Sequence, residues 1–233
     1  MAVISGAIRA VFFDAVGTVL HPVRGAPIIY AETAARFGLP ADPALILQRF
    51  RAAYQREEAT DAAAGWVTSE AREQERWRAI VRETLPDAPD GCFEMLYHHF
   101  AQPEAWEVPA GFADVLEVLH QRGFALGLAS NYDSRLEQVL AGCPELARLR
   151  PHILISSQIG YRKPDRRFFA RILDTVNCPA HQILYVGDDL QNDYHGARDS
   201  GLSPLLLDPH NQHPAVPNRI RSLSELFSDT LFG

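Results

Sequence analysis

The feature that most constrains the fold is a short apolar run, residues 10–13, that ends in an acid. The run reads Ala-Val-Phe-Phe, which is typical of a strand buried on both faces of a sheet. Asp14 follows directly, and a carboxylate at the end of a buried strand is costly unless it is paired or used. Gly17 then permits a turn and the close approach of a ligand. The run therefore predicts a buried strand with a candidate functional carboxylate at its end.

From Gly111 onward, segments with strand character alternate with segments with helix character. Strands are predicted over residues 124–129, 152–155, 182–186 and 204–207. Helices are predicted over residues 112–122, 134–140, 164–176 and 192–200, and another begins at 223. This order predicts an α/β fold, a Rossmann-like parallel sheet with helices on both faces, whose ligands lie at the carboxyl ends of the strands.

The segment between the first strand and Gly111 is rich in Ala, Glu, Arg and Gln at helical spacing. It predicts amphipathic helices and no strand over residues 26–101. We therefore predict an α/β core domain formed by residues 1–20 and 108–233, with an inserted all-helical domain over residues 21–107. The arginines of the insert, among them Arg72 and Arg76, are expected on solvated helix faces.

Composition narrows the class of protein. The chain is 47% hydrophobic and carries a net charge of −7, which predicts a soluble protein and disfavours a nucleic-acid partner. Its cysteines are three in number, lie far apart and form no CxxC pair, which is typical of reduced thiols in the cytoplasm. No segment has the length or apolar character of a membrane span or a signal peptide, so no membrane partner is expected.

Polar residues follow three of the predicted strands at the point where each strand ends. They are Asp14 after the first strand, Ser130 and Asn131 after the second, and Asp188 and Asp189 after a later one. Because the carboxyl ends of parallel strands meet at one edge of a sheet, these side chains are expected to converge.

A single lysine adds a second signal. Of the 22 basic residues, Lys163 is the one lysine and all others are arginine. It precedes Pro164 at the predicted start of a helix. A lone lysine at that place is hard to explain as a solvated surface residue.

Four segments carry a resemblance to a known family. They are DAVGT (14–18), SN (130–131), RKPD (162–165) and GDDLQND (187–193). In this order and spacing they resemble the haloacid dehalogenase superfamily of phosphotransferases and hydrolases, over nearly the whole chain. The resemblance implies the superfamily's Rossmann-like core and makes the helical insert similar to the C1 cap domain of subfamily I, type A.

The resemblance also implies roles for five residues. Asp14 would be a nucleophile that forms an aspartyl-phosphate intermediate, and Lys163 would lie against it and offset negative charge. Thr18 would donate to the Asp14 carboxylate or a phosphoryl oxygen, or cap the next helix. Ser130 and Asn131 would bind the phosphoryl group, with helix capping as the alternative.

The acids near residue 190 predict a magnesium site, since Mg²⁺ prefers hard oxygen ligands. The resemblance implies Asp14, Asp188 and the backbone carbonyl of Val16 as ligands. Asp193 would act at the metal site by orienting a metal-bound water or Lys163. Asp189 remains open as a ligand, a water holder or a helix cap.

Val16 departs from the family's pattern. Most phosphatases of the superfamily carry Asp at this position, where it protonates the leaving group and activates water. General acid–base catalysis contributes roughly 10²–10⁴-fold, so its loss predicts weak activity on alkyl phosphates and a preference for acyl or aryl phosphates. His21 and Tyr132 are the candidates for supplying the proton instead.

Three branches of the superfamily also lack this acid. L-2-haloacid dehalogenases need no metal and lack an acid cluster like that of residues 187–193. Phosphonatases use a cap lysine, and residues 21–106 contain none. P-type ATPases span membranes. We therefore predict a Mg²⁺-dependent phosphatase acting on a small phosphorylated molecule. The alternatives are a catalytically weak or inactive ligand- or protein-binding homologue and, less favoured, a 2-haloacid dehalogenase. The sequence specifies no oligomeric state.

Overall fold

A computed structural model describes residues 8–228, so residues 1–7 and 229–233 of the predicted core domain lie outside the described residues. The strands are β1 (Ala10–Phe13), β2 (His21–Pro22), β3 (Trp106–Glu107), β4 (Ala125–Ser130), β5 (Ile153–Ile155), β6 (Ile183–Gly187), β7 (Ser203–Leu207) and β8 (Arg219–Ile220). The α-helices are α1 (Ala26–Arg36), α2 (Pro43–Ala63), α3 (Glu70–Thr84), α4 (Asp90–His99), α5 (Phe112–Gln121), α6 (Arg135–Ala141), α7 (Ser156–Ile159), α8 (Arg166–Val176) and α9 (Gly196–Asp199). Short 3₁₀ helices cover Pro103–Ala105, Pro144–Leu149, Ala180–Gln182 and Leu223–Phe227, and a π-helical turn covers Leu190–His195.

The main sheet has the strand order β5-β4-β1-β6-β7-β8, and every pairing in it is parallel. Strand β1 lies in the middle, where Phe13 pairs with Leu128 on one side and with Val186 on the other. Crossover connections between parallel strands require helices, and these cover both faces of the sheet. The predicted α/β fold with a Rossmann-like parallel sheet is confirmed.

Both faces of β1 are buried, as its apolar run predicts. Val11 and Phe13 belong to one core cluster, and the ring of Phe13 meets that of Phe112 of α5 edge-on at 5.2 Å. Ala10 and Phe12 belong to a second cluster on the opposite face. Alternate residues of a strand point to opposite faces, so a fully apolar run serves two cores at once.

Helices α1–α4 fill the segment between β2 and β3 and share an apolar core of their own. Strands β2 and β3 pair antiparallel and form a two-stranded ribbon where the insert leaves and rejoins the rest of the chain. The sequence gives no sign of this ribbon, because two-residue strands are too short to show a period of two. The bounds of the predicted cap domain stay a prediction.

Two helix starts differ from their predicted positions, and side-chain caps explain both. Helix α8 begins at Arg166 rather than at Pro164, because the Asp165 side chain accepts a hydrogen bond from the Arg167 amide. The helix predicted over 192–200 begins earlier, as the π-helical turn that Asp189 caps.

In the part of the chain that the structure describes, no helix combines the length and the apolar character needed to cross a membrane.

Candidate active site

Three strand ends converge on one point, because β1 is hydrogen-bonded between β4 and β6. Asp14 follows β1, Ser130 is the last residue of β4, and Asp188 follows β6. All three line a cavity of about 420 Å³, which also has walls from the helical insert. The predicted convergence of polar side chains at the carboxyl edge of the sheet is present.

Lys163 lies at the centre of the site and is 2% exposed. Its Nζ atom donates to Asp14 Oδ1 and Asp193 Oδ1, each at 2.6 Å, and to the Tyr185 hydroxyl at 2.9 Å. Burial alone would lower the pKa of Lys163, but the charges of Asp14 and Asp193 outweigh it and raise the pKa well above its ordinary value. Lys163 is therefore a fixed cation at neutral pH.

The two oxygens of the Asp14 carboxylate differ in their surroundings. Oδ1 accepts hydrogen bonds from Lys163 and from the Ser130 hydroxyl, the latter at 3.0 Å. Oδ2 accepts none from the residues that the structure describes. One oxygen therefore orients the carboxylate, and the other remains available to a ligand.

Thr18 has a different partner from the one expected. Its hydroxyl donates to Asp188 Oδ1 at 3.0 Å, and Ser130 supplies the hydroxyl that contacts Asp14. Of the roles expected for Thr18, the structure shows neither donation to Asp14 nor helix capping, since Gly25 caps α1, and contact with a phosphoryl oxygen stays a prediction. The turn after β1 aims Thr18 at the end of β6 instead.

Asn131 holds the backbone of Lys163. Its Nδ2 donates to the Lys163 carbonyl at 3.0 Å, and its Oδ1 accepts from the Lys163 amide at 2.8 Å. This reciprocal pair fixes the loop that carries the lysine. Asn131 also lines the cavity, so contact with a ligand there remains open to it.

Asp14, Asp188 and Asp193 form a carboxylate cluster, with one oxygen from each within 4.8 Å of the others. Loss of surrounding water, then the charges of Asp14 and Asp193, raise the pKa of Asp188 to about 8. Burial raises the pKa of Asp193 to about 7, against the opposing effect of Lys163. Three crowded carboxylates repel one another, and a divalent cation with oxygen coordination would relieve that repulsion.

Two glycines make room for this carboxylate cluster. A Cβ atom on Gly17 would collide with the Asp188 carboxylate, and Gly17 also has a positive φ of 95°. A Cβ atom on Gly187 would collide with the carboxylate of Asp193. The glycines after β1 and at the end of β6 therefore let the acids approach each other.

Asp189 is a helix cap in this structure. Its Oδ1 accepts from the amides of Gln191 and Asn192, each at 2.8 Å. Its own amide donates to Asp193 Oδ2 at 3.0 Å. Of the three roles left open for Asp189, its side-chain contacts show helix capping. Its backbone amide, separately, orients the Asp193 carboxylate.

Val16 faces the cavity and is 37% exposed. Its carbonyl oxygen accepts no hydrogen bond within residues 8–228, which leaves that oxygen free for another ligand. Because residue 16 is valine, this position of the chain offers no carboxylate to the cavity. The side chain contributes an apolar surface beside Asp14.

The two candidate proton donors are poorly suited to the role. The Tyr132 hydroxyl lines the cavity but donates to the Phe100 carbonyl at 3.1 Å, and burial raises its pKa above the ordinary value. His21 lies in the ribbon opposite Glu107 and does not line the cavity.

Sequence reasoning missed a buried ion network behind Lys163, formed by Glu58, Asp61, Glu73, Arg76 and Arg162. Arg162 pairs with Glu73, and Arg76 pairs with Asp61 and, at 2.7 Å, with Glu58. Arg76 and Arg162 are 1% and 2% exposed, so the expectation that the insert's arginines are solvated is wrong for Arg76. Helical spacing in the sequence cannot reveal this ion network, because one of its members, Arg162, lies in a loop far from the insert along the chain.

Backbone hydrogen bonds also join the insert to the loop that carries Arg162 and Lys163. The Arg162 amide donates to the Trp66 carbonyl at 2.9 Å, and the Thr68 amide donates to the Gly160 carbonyl at 3.0 Å. The insert therefore supports the backbone on both sides of Tyr161, next to Lys163.

Known proteins resemble this chain in sequence and in fold. A family model described as haloacid dehalogenase-like hydrolase matches residues 8–201. Haloacid dehalogenase-like hydrolase domain-containing protein 3 of Danio rerio is 31% identical over an alignment of 232 residues, which covers 94% of this chain and 95% of that protein.

Two solved structures share the fold. The putative HAD-hydrolase YfnB from Bacillus subtilis, bound to magnesium, has a TM-score of 0.73 at 22% identity and covers 95% of this chain and 98% of its own. The L-2-haloacid dehalogenase RSc1362 has a TM-score of 0.74 at 19% identity, and the match covers 95% of this chain and 97% of that one. At these identities the likeness extends to the fold alone.

Proposed function

This chain belongs to the haloacid dehalogenase-like hydrolase family, and from that premise we propose that it is a Mg²⁺-dependent phosphatase. The observation that carries the proposal is the contact between Asp14 and Lys163 beside a cluster of three carboxylates. A carboxylate nucleophile, a fixed cation and a metal site are the parts that phosphoryl transfer to an aspartate requires.

Asp14 acts as the nucleophile. Its Oδ2 atom attacks the phosphorus of the substrate, the bond from phosphorus to the leaving oxygen breaks, and an aspartyl-phosphate forms while the leaving oxygen takes a proton from solvent. Water then attacks that phosphorus and gives up a proton to solvent, which releases inorganic phosphate and restores the carboxylate. The hydrogen bonds from Ser130 and Lys163 to Oδ1 hold the carboxylate still while Oδ2 reacts.

Lys163 supplies positive charge where negative charge develops. Its ammonium group is buried and already paired with Asp14 and Asp193, so it needs no reorganisation during the reaction. Asn131 maintains its position by binding the backbone of the same residue.

Asp14, Asp188 and the Val16 carbonyl would hold Mg²⁺, with Asp193 beside the ion. The donor set fits, because it consists of hard oxygens crowded within 4.8 Å of one another, and burial together with the neighbouring carboxylate charges raises the pKa values of Asp188 and Asp193. The magnesium-bound structure of similar fold supports the same cofactor. When bound, the ion would neutralise phosphoryl oxygens and help to orient the substrate.

Mg²⁺-dependent hydrolysis of p-nitrophenyl phosphate or acetyl phosphate, lost in Asp14→Asn, tests this function. Asp14→Asn keeps the size of the side chain and removes the nucleophilic charge. If the wild-type protein hydrolyses neither compound with Mg²⁺, the proposal is wrong.

A 2-haloacid dehalogenase is the second candidate, because Val16 removes the family's second acid and a dehalogenase shares the fold. That reaction needs no metal, whereas this site crowds three carboxylates that a cation would stabilise. Release of chloride from L-2-chloropropionate in the presence of a chelator would favour the dehalogenase.

A further inference from the structure

The cavity is larger than a phosphoryl group requires. Its volume of about 420 Å³ falls in the range of pockets that enclose whole organic ligands, roughly 300–1,000 Å³. The carboxylate cluster and Lys163 lie on the side of the sheet, so the remaining volume lies against the helical insert. That volume is available to the organic part of a substrate.

The wall from the insert is apolar and largely aromatic. Phe50 of α2, Trp77 and Val81 of α3, and Phe93 and Leu96 of α4 all line the cavity. Burial of apolar surface against these five side chains is favourable, and a hydrated polar group gains less there.

Among the residues that the structure describes, the cavity has no free cation to receive a second anionic group. Besides Lys163, Arg135 is the one Lys or Arg among the described residues that line it. Arg135 donates to both carboxylate oxygens of Asp133, at 2.7 and 2.8 Å, and to the Tyr97 carbonyl at 3.0 Å. Its guanidinium also stacks over the Tyr97 ring at 3.5 Å. The charge of Arg135 is therefore neutralised and its position fixed.

The remaining polar groups on the insert side are neutral. Tyr30 and Tyr54 line the cavity, and neither hydroxyl has a hydrogen-bond partner within residues 8–228. Burial raises the pKa of both tyrosines, which keeps the hydroxyls uncharged. By contrast, four acids line the sheet side, Asp14, Asp188, Asp189 and Asp193. An additional carboxylate or phosphate on the substrate would meet repulsion at one end and no cation at the other.

We propose that the cavity selects phosphomonoesters whose organic part is a large, uncharged, apolar group, aromatic or alicyclic. This inference rests on the proposed phosphatase function, since it assigns the rest of the substrate for the same site. It excludes phosphorylated carboxylic acids and bisphosphates as good substrates, and it disfavours sugar phosphates because they bury little apolar area.

Phosphonates test the binding part without turnover, because their phosphorus–carbon bond cannot be hydrolysed at this site. Isothermal titration calorimetry with Mg²⁺ present would compare benzylphosphonate and cyclohexylmethylphosphonate with 3-hydroxypropylphosphonate and 3-phosphonopropanoate. We expect both apolar compounds to bind at least about tenfold more tightly than both polar ones, from the apolar area buried. Equal or tighter binding of 3-hydroxypropylphosphonate or 3-phosphonopropanoate would overturn the proposal.

Turnover separates this inference from the function on which it rests. Benzyl phosphate and glycerol phosphate both release an alcohol, so a difference between them reports the cavity rather than the leaving group. Tight benzylphosphonate binding without hydrolysis of any phosphate would refute the phosphatase and keep the inference. If glycerol phosphate is hydrolysed with a higher kcat/KM than benzyl phosphate, the phosphatase function stands and the inference about an apolar substrate is refuted.

Matched variants locate the effect. Phe50→Ala removes a ring from the wall, and Phe37→Ala removes one that is 36% exposed on the same insert and does not line the cavity. We expect Phe50→Ala to weaken benzylphosphonate binding several-fold and to leave 3-hydroxypropylphosphonate unchanged, and Phe37→Ala to change neither. If both variants change benzylphosphonate binding equally, the bound ring does not lie against this wall and the proposal is contradicted. Thermal unfolding checks that each variant folds.

Discussion

The Nζ atom of Lys163 lies 2.6 Å from Oδ1 of Asp14, and both residues are almost fully buried. A buried carboxylate tolerates its charge only when a partner stabilises it, so the lysine sets the state in which Asp14 can react. We expect Lys163→Met to lower kcat with Mg²⁺ by about 100-fold or more, since charge stabilisation is lost. Lys163→Arg, which keeps the charge, should retain more activity. A Lys163→Met protein with the wild-type kcat would contradict this role.

The same contact predicts an unreactive lysine. Because its pKa is raised well above the ordinary value and its side chain is buried, Lys163 has almost no uncharged amine at about pH 8. Since it is the only lysine of this sequence, trinitrobenzenesulfonate should leave Lys163 unlabelled in the folded chain and label it after denaturation. Mass spectrometry of peptides locates the label. Labelling of Lys163 in the folded protein would show that the ammonium is neither buried nor paired.

Val16→Asp tests whether the missing acid limits turnover. The side chain is 37% exposed and faces the cavity, so a carboxylate there need not be buried. If a general acid is restored beside Asp14, kcat for benzyl phosphate should rise at least about tenfold, within the range of acid–base catalysis. Val16→Asn is the matched control, because it has the same shape without a titratable proton. An equal gain in both variants would show that polarity, rather than proton transfer, is responsible.

The sequence predicts the parts of the fold that depend on local pattern. The all-apolar run before Asp14 predicts a strand buried on both faces, and β1 has that position at the centre of the sheet. The alternation after Gly111 predicts the parallel sheet, because strand and helix periods differ along the chain. Caps shift helix starts by about two residues, as Asp165 and Asp189 do, because a single side chain decides where a helix begins.

The parts that depend on contacts between distant segments could not be predicted. Thr18 contacts Asp188 rather than Asp14, and only the relative positions of β1 and β6 decide this. Arg76 is indistinguishable from a solvated helix residue until Arg162 and the acids around it come together. The Tyr185 hydroxyl accepts a hydrogen bond from Lys163, but in the sequence Tyr185 cannot be distinguished from the apolar residues of its strand.

Mg²⁺ should stabilise the protein more at high pH than at low pH. Without metal, the folded-state pKa values of Asp188 and Asp193 are about 8 and about 7, above the values of unfolded aspartates. The folded state then binds more protons at these two acids, so their contribution to stability is fully present below about pH 4 and is lost as the pH rises through about 4 to 8. Mg²⁺ needs the ionised acids and offsets their repulsion. The increase in Tm on adding Mg²⁺ should therefore be larger at pH 8 than at pH 5.5.

Asp188→Asn provides the control for this experiment. It removes one carboxylate and keeps the shape, so the metal-free variant should be more stable than the wild type at pH 8 and respond less to Mg²⁺. Asp174→Asn alters an exposed surface acid of α8 and should change neither quantity. A Mg²⁺-induced shift in Tm that is independent of pH would argue against ion binding at the carboxylate cluster.

The buried ion network makes Glu73 a critical side chain for stability. Glu73 is 1% exposed, accepts from Arg162 and from the Thr68 hydroxyl, and so connects the insert to the loop of Lys163. Glu73→Gln leaves the Arg162 cation in the protein interior with less compensation. Breaking a buried ion pair from one side costs about 3–5 kcal/mol, and we expect a loss at the lower end because Glu58 still contacts Arg162.

Chemical denaturation of Glu73→Gln measures this loss, and Glu83→Gln is the matched control. Glu83 pairs with Arg56 on the surface of the same insert, where the side chains are 38% and 59% exposed, so its loss should cost less than about 1 kcal/mol. The double variant Glu73→Leu/Arg162→Met should recover part of the loss, because it removes both charges together. If Glu73→Gln were as stable as Glu83→Gln, the ion pair between Glu73 and Arg162 would not be a buried one. The insert would then support the loop of Lys163 through backbone hydrogen bonds alone.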